Sequence, residues 1–258
     1  MADLVHTHVI DINGDVVTKR YIDDKPGAAE REWRALSLLA EHAPGLAPAP
    51  IAYEAGVVRM TRVDGVPLRG MAVRDDHVDA MAAALTELYA AVPADVLATV
   101  RVRPWQIEAV TDWIGERVAA WSARDPLADR AVKEGVRWLA GWRPGTSGVR
   151  PVFGAGDGNL ANFLWDGARV RIVDFEDSGS SDFAFELAEQ AEHVSMWVDG
   201  EVEIAGRFEL TAAEERRLRE CRRLHSLTWL FLLSHDGPRN PPGTFGRQVE
   251  RVLRTLDA

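Results

Sequence analysis

A single cysteine, Cys221, stands among 258 residues, so no intramolecular disulfide can form, and a reducing cytoplasm suits the chain. No stretch approaches eighteen unbroken apolar residues, which argues against a helical membrane span. The opening MADLVHTHVI lacks the basic start and apolar run of a secretory signal. Positive charge is in deficit: 30 Lys and Arg face 40 Asp and Glu, for a net charge of −10. A general nucleic-acid binder needs the opposite balance. An acidic surface instead attracts metals, amines and basic peptides. Internal repeats, low-complexity tracts, a Ser-His-Asp ordering and a metal-spaced Cys/His cluster are all missing from the sequence, and no pattern calls for an obligate protein partner.

What is present is an ordinary apolar content of 47%, enough for one large domain or two lobes. The beginning reads as β. Two β-prone runs flank Asn13-Gly14, a strong hairpin signal because a type I′ turn needs positive φ at both central residues. A helix follows over about Ala28–His42, entered after Pro26-Gly27 and stopped near Pro44-Gly45. Two more short strands meet at Ala55-Gly56. From about Asp75 to Trp142 the periodicity is helical, as it is again in DFAFELAEQAEHVSMWV and TAAEERRLRECRRLHSLTWLFLLS. A Pro/Gly-rich loop precedes a last helix at about Gln248–Leu256. The layout predicts an α+β chain: a small β-rich lobe with one helix over residues 1–63, then a larger, mainly helical lobe over 64–258 with a hairpin embedded in it.

That hairpin lies in GAGDGNLANFLWDGARVRIVDFED, Gly154–Asp177. The Asp166-Gly167 turn signal predicts antiparallel strands at Phe163–Trp165 and Arg169–Val173. Folding there brings Asn162 and Asp174 to the same open end, with Asp157 on the loop that enters the first strand. An amide oxygen and a carboxylate that converge suit Mg²⁺, which takes few protein oxygens and completes its octahedron with phosphate and water. Each residue alone serves turn chemistry as readily. The combined pattern, Asp, four residues, Asn, a hairpin, then Asp-Phe, is the spacing of a kinase catalytic loop and metal loop.

In these motifs the chain resembles the aminoglycoside phosphotransferases and their choline-kinase-like relatives, which share the protein-kinase-like two-lobed fold. GDGNLANFLW is similar to their catalytic loop, and RIVDFEDSGSSDFAFELA to their metal loop and the helix after it. The close likeness spans about Val152–Ala188. It implies that Asp157 receives or orients a substrate hydroxyl, that Asn162 and Asp174 hold Mg²⁺, and that Asp182 braces the catalytic loop. It further implies adenine binding at TRVDG, through backbone groups of Thr61 and Val63 with Met60 behind the base. Two departures stand out: Ala155 occupies the family's usual His position, and only Met1–Thr7 precede the first hairpin, where relatives carry a further strand and a phosphate-covering loop.

A kinase also needs a Lys on a strand and a Glu on a helix. Val17, Lys19 and Tyr21 share one strand face. On the following helix Ala29, Trp33, Leu36, Leu39 and Ala40 form one apolar arc; Glu32 falls inside it and Glu30 outside. A carboxylate on a core-facing stripe needs a partner, and Lys19 is the candidate. On the acceptor side, Glu176, Asp177 and Glu186 are positioned in sequence to grip amino groups. The reading is thus an ATP- and Mg²⁺-dependent phosphotransferase acting on a small, cationic, aminoglycoside-like hydroxyl acceptor. A choline- or amino-acid-type metabolite kinase, or a nucleotide-binding pseudokinase without turnover, are the alternatives.

Overall fold

The computed structural model describes residues 8–22, 26–145, 148–234 and 241–257. The chain forms two compact units. One takes the chain up to Pro104 and again Pro151–Asp182; the other takes Trp105–Arg150 and the chain from Phe183 onward. The expectation of a truncated opening strand falls on Met1–Thr7 and lies outside the described residues.

In the first unit, β1 (His8–Asn13) and β2 (Val16–Tyr21) form an antiparallel hairpin that closes on Asn13↔Val16, with Gly14 at φ 57°. Helix α1 (Ala28–His42) starts after Gly27, whose φ of 73° favours glycine, and buries Ala28, Ala29, Glu32, Ala35, Leu36 and Leu39. Leu36 and Leu39 are essentially inaccessible, a burial that stabilises by about 1.5–3 kcal/mol each. Strands β3 (Pro50–Glu54) and β4 (Val57–Thr61) turn at Ala55 and Gly56, both with positive φ. The sheet order is β1-β2-β4-β3, and α1 packs on β3 and β4. A two-residue strand, β5 (Val66–Pro67), and helices α2 (Asp75–Ala91) and α3 (Ala94–Leu97) follow.

Helices α4 (Ile107–Ala119) and α5 (Pro126–Gly141) belong to the second unit. The chain returns to the first unit with β6 (Pro151–Gly154), β7 (Phe163–Trp165), β8 (Val170–Ile172) and β9 (Gly179–Asp182). Strand β6 pairs with β9, and β7 joins β5 to β8. The second unit then closes with α6 (Phe183–Glu192), α7 (Ala212–Leu233) and α8 (Thr244–Asp257), where α7 packs against both α6 and α8. The last helix begins four residues earlier than its sequence pattern indicates. Pro241-Pro242-Gly243 ends just before it, and Thr244 Oγ1 donates to Pro241 O at 2.6 Å, so the first turn forms directly behind the breakers.

Candidate active site

The β7–β8 loop is longer than a two-residue turn. Asp166 Oδ1 accepts from the N–H groups of Ala168 and Arg169, each at 2.9 Å, and Gly167 adopts φ 100°. The carboxylate of Asp166 thus organises a four-residue loop, which shortens β8 to Val170–Ile172 against the expected Arg169–Val173. The ladder still runs Phe163↔Ile172 to Trp165↔Val170. At its open end the N–H of Val173 donates to Asn162 O at 2.9 Å, which ties Asn162 to the residue before Asp174. Asn162 is buried, and its Nδ2 donates to Asp157 Oδ2 at 3.0 Å. Asp157 Oδ1 accepts the N–H of Asn159, also at 3.0 Å. Asp157, half-buried, thus accepts from donors of its own loop. Asp174 has φ 68°, a left-handed backbone that few non-glycine residues adopt and that clusters at functional sites.

Lys19 is 3% exposed on β2. Its Nζ lies 2.6 Å from Asp174 Oδ1, 2.9 Å from Glu32 Oε2 and 3.3 Å from Glu176 Oε2. Glu32, 1% exposed on α1, also accepts the hydroxyl of Tyr21. Burial works against the Lys19 charge, yet Asp174 and then Glu32 outweigh it and hold the ammonium well above its ordinary range. Burial pushes the Glu32 carboxyl up, with Lys19 pulling the other way. Burial and then Glu32 drive the Tyr21 phenol far up, so it stays a neutral donor. One ammonium thus faces three carboxyl groups, so acidic side chains outnumber the basic one around Lys19.

The remaining expected residues are distributed more widely. Met60 is buried on β4 and Val63 is half-buried beyond it. The N–H of Thr61 donates to Ala49 O at 2.9 Å while its hydroxyl accepts from the N–H of Ala49, so that backbone donor is not open to a base. Glu176 is engaged with Lys19 and lies 3.6 Å from His8, and Asp177 lies 3.9 Å from Arg31. Both carboxylates of this pair are directed at cations of their own unit rather than set aside for an acceptor. Glu186 is wholly buried on α6 in the other unit, and a carboxylate enclosed there offers no grip to a substrate from solvent. Asp182 is half-buried at the end of β9, opposite Pro151.

A buried cation of the first unit was not foreshadowed. Arg103 is 1% exposed, and its guanidinium donates to Gly156 O at 3.0 Å. This contact is to a backbone oxygen some fifty residues away, which no periodicity or side-chain motif marks.

For the cation that the motifs imply, the first unit supplies a fitting donor set. Asp174 Oδ2 and Asn162 Oδ1 have no partner among the described residues, while their sister atoms are engaged. Among the described residues no three or more His, Cys, Asp and Glu side chains converge as a metal site. Two protein oxygens beside surplus negative charge match a Mg²⁺ that phosphate and water complete, rather than an all-protein cage.

The sequence model of the phosphotransferase enzyme family matches residues 7–221. The chain belongs to this family. Solved structures of its kind share the fold at low identity. A choline/ethanolamine kinase family protein from Mesorhizobium loti is 20% identical, with 98% of this chain and 89% of that one aligned at a TM-score of 0.67. Choline kinase LicA from Streptococcus pneumoniae is 15% identical over 100% and 92%, at 0.59. The GDP complex of aminoglycoside 2'-phosphotransferase-IIIa is 19% identical over 100% and 91%, at 0.60. No curated protein sequence is significantly similar to this phosphotransferase-family chain. Its fold is the α+β kinase-like one expected from the motifs.

Proposed function

We propose that this phosphotransferase-family protein moves the γ-phosphoryl group of ATP to a hydroxyl of a small, cationic molecule. The observation that carries the reading is the grouping of Asp157, Asn162, Asp174 and the Lys19–Glu32 pair in one compact unit. In this reading residues 1–63 hold the nucleotide and 64–258 carry the catalytic and acceptor-binding groups. Asp157 orients the acceptor hydroxyl and takes its proton as the oxygen bonds to Pγ and the bridge to the β-phosphate breaks, with ADP leaving. Lys19, steadied by Glu32, engages the α- and β-phosphates. Asn162 and Asp174 would hold Mg²⁺, which would offset the charge of the phosphates. Met60 and Val63 line the base. Asp182 supports the loop.

For the acceptor, the net charge of −10 favours an amine-bearing hydroxyl compound. An aminoglycoside leads, with choline-like amines and amino-acid hydroxyls next. The test is ADP formation from Mg-ATP across a panel of such compounds, beside the Asp157→Asn variant. Stimulation by one class, lost in the variant, supports the proposal. Mg-nucleotide binding with no acceptor-stimulated turnover would instead identify a binding protein without catalysis.

A further inference from the structure

We infer that Arg103 is the positioning residue that sets the catalytic loop, an inference that rests on the phosphotransfer reading of Asp157. Three backbone segments of the first unit meet at this point. The first is residues 101–103. Val102 bridges Ser180 in parallel fashion, the N–H of Ser180 donates to Arg101 O at 2.9 Å, and the N–H of Arg103 donates to Ser180 O at 3.2 Å. This stretch is in effect a third strand beside β9. Its approach is close: a Cβ at Gly179 would stand 2.6 Å from Arg103 N and 2.7 Å from Arg101 O, so only glycine fits there. The second segment is the β9 entry itself, residues 177–180. The third is the catalytic loop. Gly156 has φ 86°, and a Cβ on it would overlap the backbone carbonyl of Asp177.

Arg103 joins the first segment to the third. Its own backbone is fixed by Ser180, and its guanidinium, 1% exposed, donates to Gly156 O. That carbonyl and the N–H of Asp157 belong to one planar peptide unit. Fixing the oxygen therefore fixes the plane from which the Asp157 side chain departs. The donors from Asn162 and Asn159 act on the carboxylate, whereas Arg103 acts on the main chain that carries it. Ala155, buried before Gly156, contributes a methyl group alone and cannot do this work. A guanidinium suits it better than an ammonium: it is a rigid planar fork, and the bond is charge-assisted. A Lys at 103 would keep the charge and lose the fixed direction.

The experiment compares Arg103→Lys and Arg103→Gln with the wild type in Mg-ATP conversion to ADP, and follows amide hydrogen exchange. Misplacing a catalytic group by about 1 Å costs on the order of 100-fold. The expected result is a fall in kcat of that order in both variants, with the KM for Mg-ATP unchanged. Faster exchange should appear at residues 156–159 and not in β1, β2 or α7. In Arg103→Ala, added guanidinium should return part of the lost rate. Unaltered kcat, a matched rise in KM, or exchange that quickens throughout the chain would each overturn the positioning role. Wild-type protein that makes no ADP would overturn the phosphotransfer reading, and the positioning role with it. The exchange pattern separates that outcome from a brace that is not there.

Discussion

Lysine is scarce in this chain: there are three, at positions 19, 25 and 133, while arginine supplies the rest of the positive charge. Lys19 is buried among three carboxylates, where a compact ammonium with three donors fits and a broad guanidinium does not. Removing it leaves buried carboxylates uncompensated, a loss of about 3–5 kcal/mol. Urea unfolding of Lys19→Met at pH 8 is expected to show that loss. The folded-state pKa of Lys19 is raised, so its contribution is complete below its ordinary value of 10.5 and lost as pH climbs through the higher folded value. The gap between wild type and Lys19→Met should therefore close only above pH 10.5. Asp174 carries two opposed contributions. Its φ of 68° favours glycine, while its carboxylate pairs with Lys19 at 2.6 Å. In Asp174→Gly the relieved backbone is set against the lost ion pair, so the melting temperature should move little while Mg²⁺-dependent ADP formation ends; a large fall in melting temperature would contradict the account of strain. At this scale the sequence was partly legible. The Lys19–Glu32 pair follows from strand alternation and helix phase. Glu176 does not, because the chain after Asp174 turns back, with the N–H of Ser178 on Phe175 O at 3.1 Å, and a turn carries no period to read.

The elements were more legible where turn chemistry is local. Asn13-Gly14 and Ala55-Gly56 each declare a hairpin, and α1 runs over the residues its apolar arc indicates. Pairings that depend on distant backbone left no such trace: β6 with β9, and residues 101–103 beside β9, join segments with unremarkable side chains. Helix α7 shows how a local signal and a distant one combine. Thr211 and Glu214 form a capping box, with Thr211 Oγ1 accepting the N–H of Glu214 and Glu214 Oε2 accepting the N–H of Thr211. Arg150 then donates to Glu214 Oε1 at 2.6 Å. Thr211→Ala should cost about 1 kcal/mol by chemical denaturation. Burial pushes the Glu214 carboxyl up, but the donors from Arg150 and Thr211 outweigh it and hold it below its ordinary range. Its contribution is thus present above the ordinary value of 4.5 and lost as pH falls through the lower folded value. The stability difference between wild type and Glu214→Gln should shrink below pH 4.5 and stay level from there to neutrality.

For the whole molecule, ligand linkage is the informative measure, because a ligand that binds only the folded state stabilises by about 2.7 kcal/mol at one hundred times its Kd. Mg-ADP is expected to raise the melting temperature, and EDTA to remove most of the rise, because surplus negative charge around Lys19 opposes a phosphate that arrives without its cation. A shift indifferent to EDTA would contradict the assignment of Asn162 and Asp174. The division of the chain into two compact units, each assembled from two separate stretches, could not be read from residue order, since contiguity in sequence is the only guide that order provides. The bond from Arg103 to Gly156 has a consequence for how the loop is encoded. Its acceptor is a carbonyl that every amino acid possesses, so the bond itself asks for no particular side chain; the demand for glycine at 156 comes from the crowding against Asp177 instead. Support of this kind is written in the path of the main chain, where a reading of the motif letters alone does not reach.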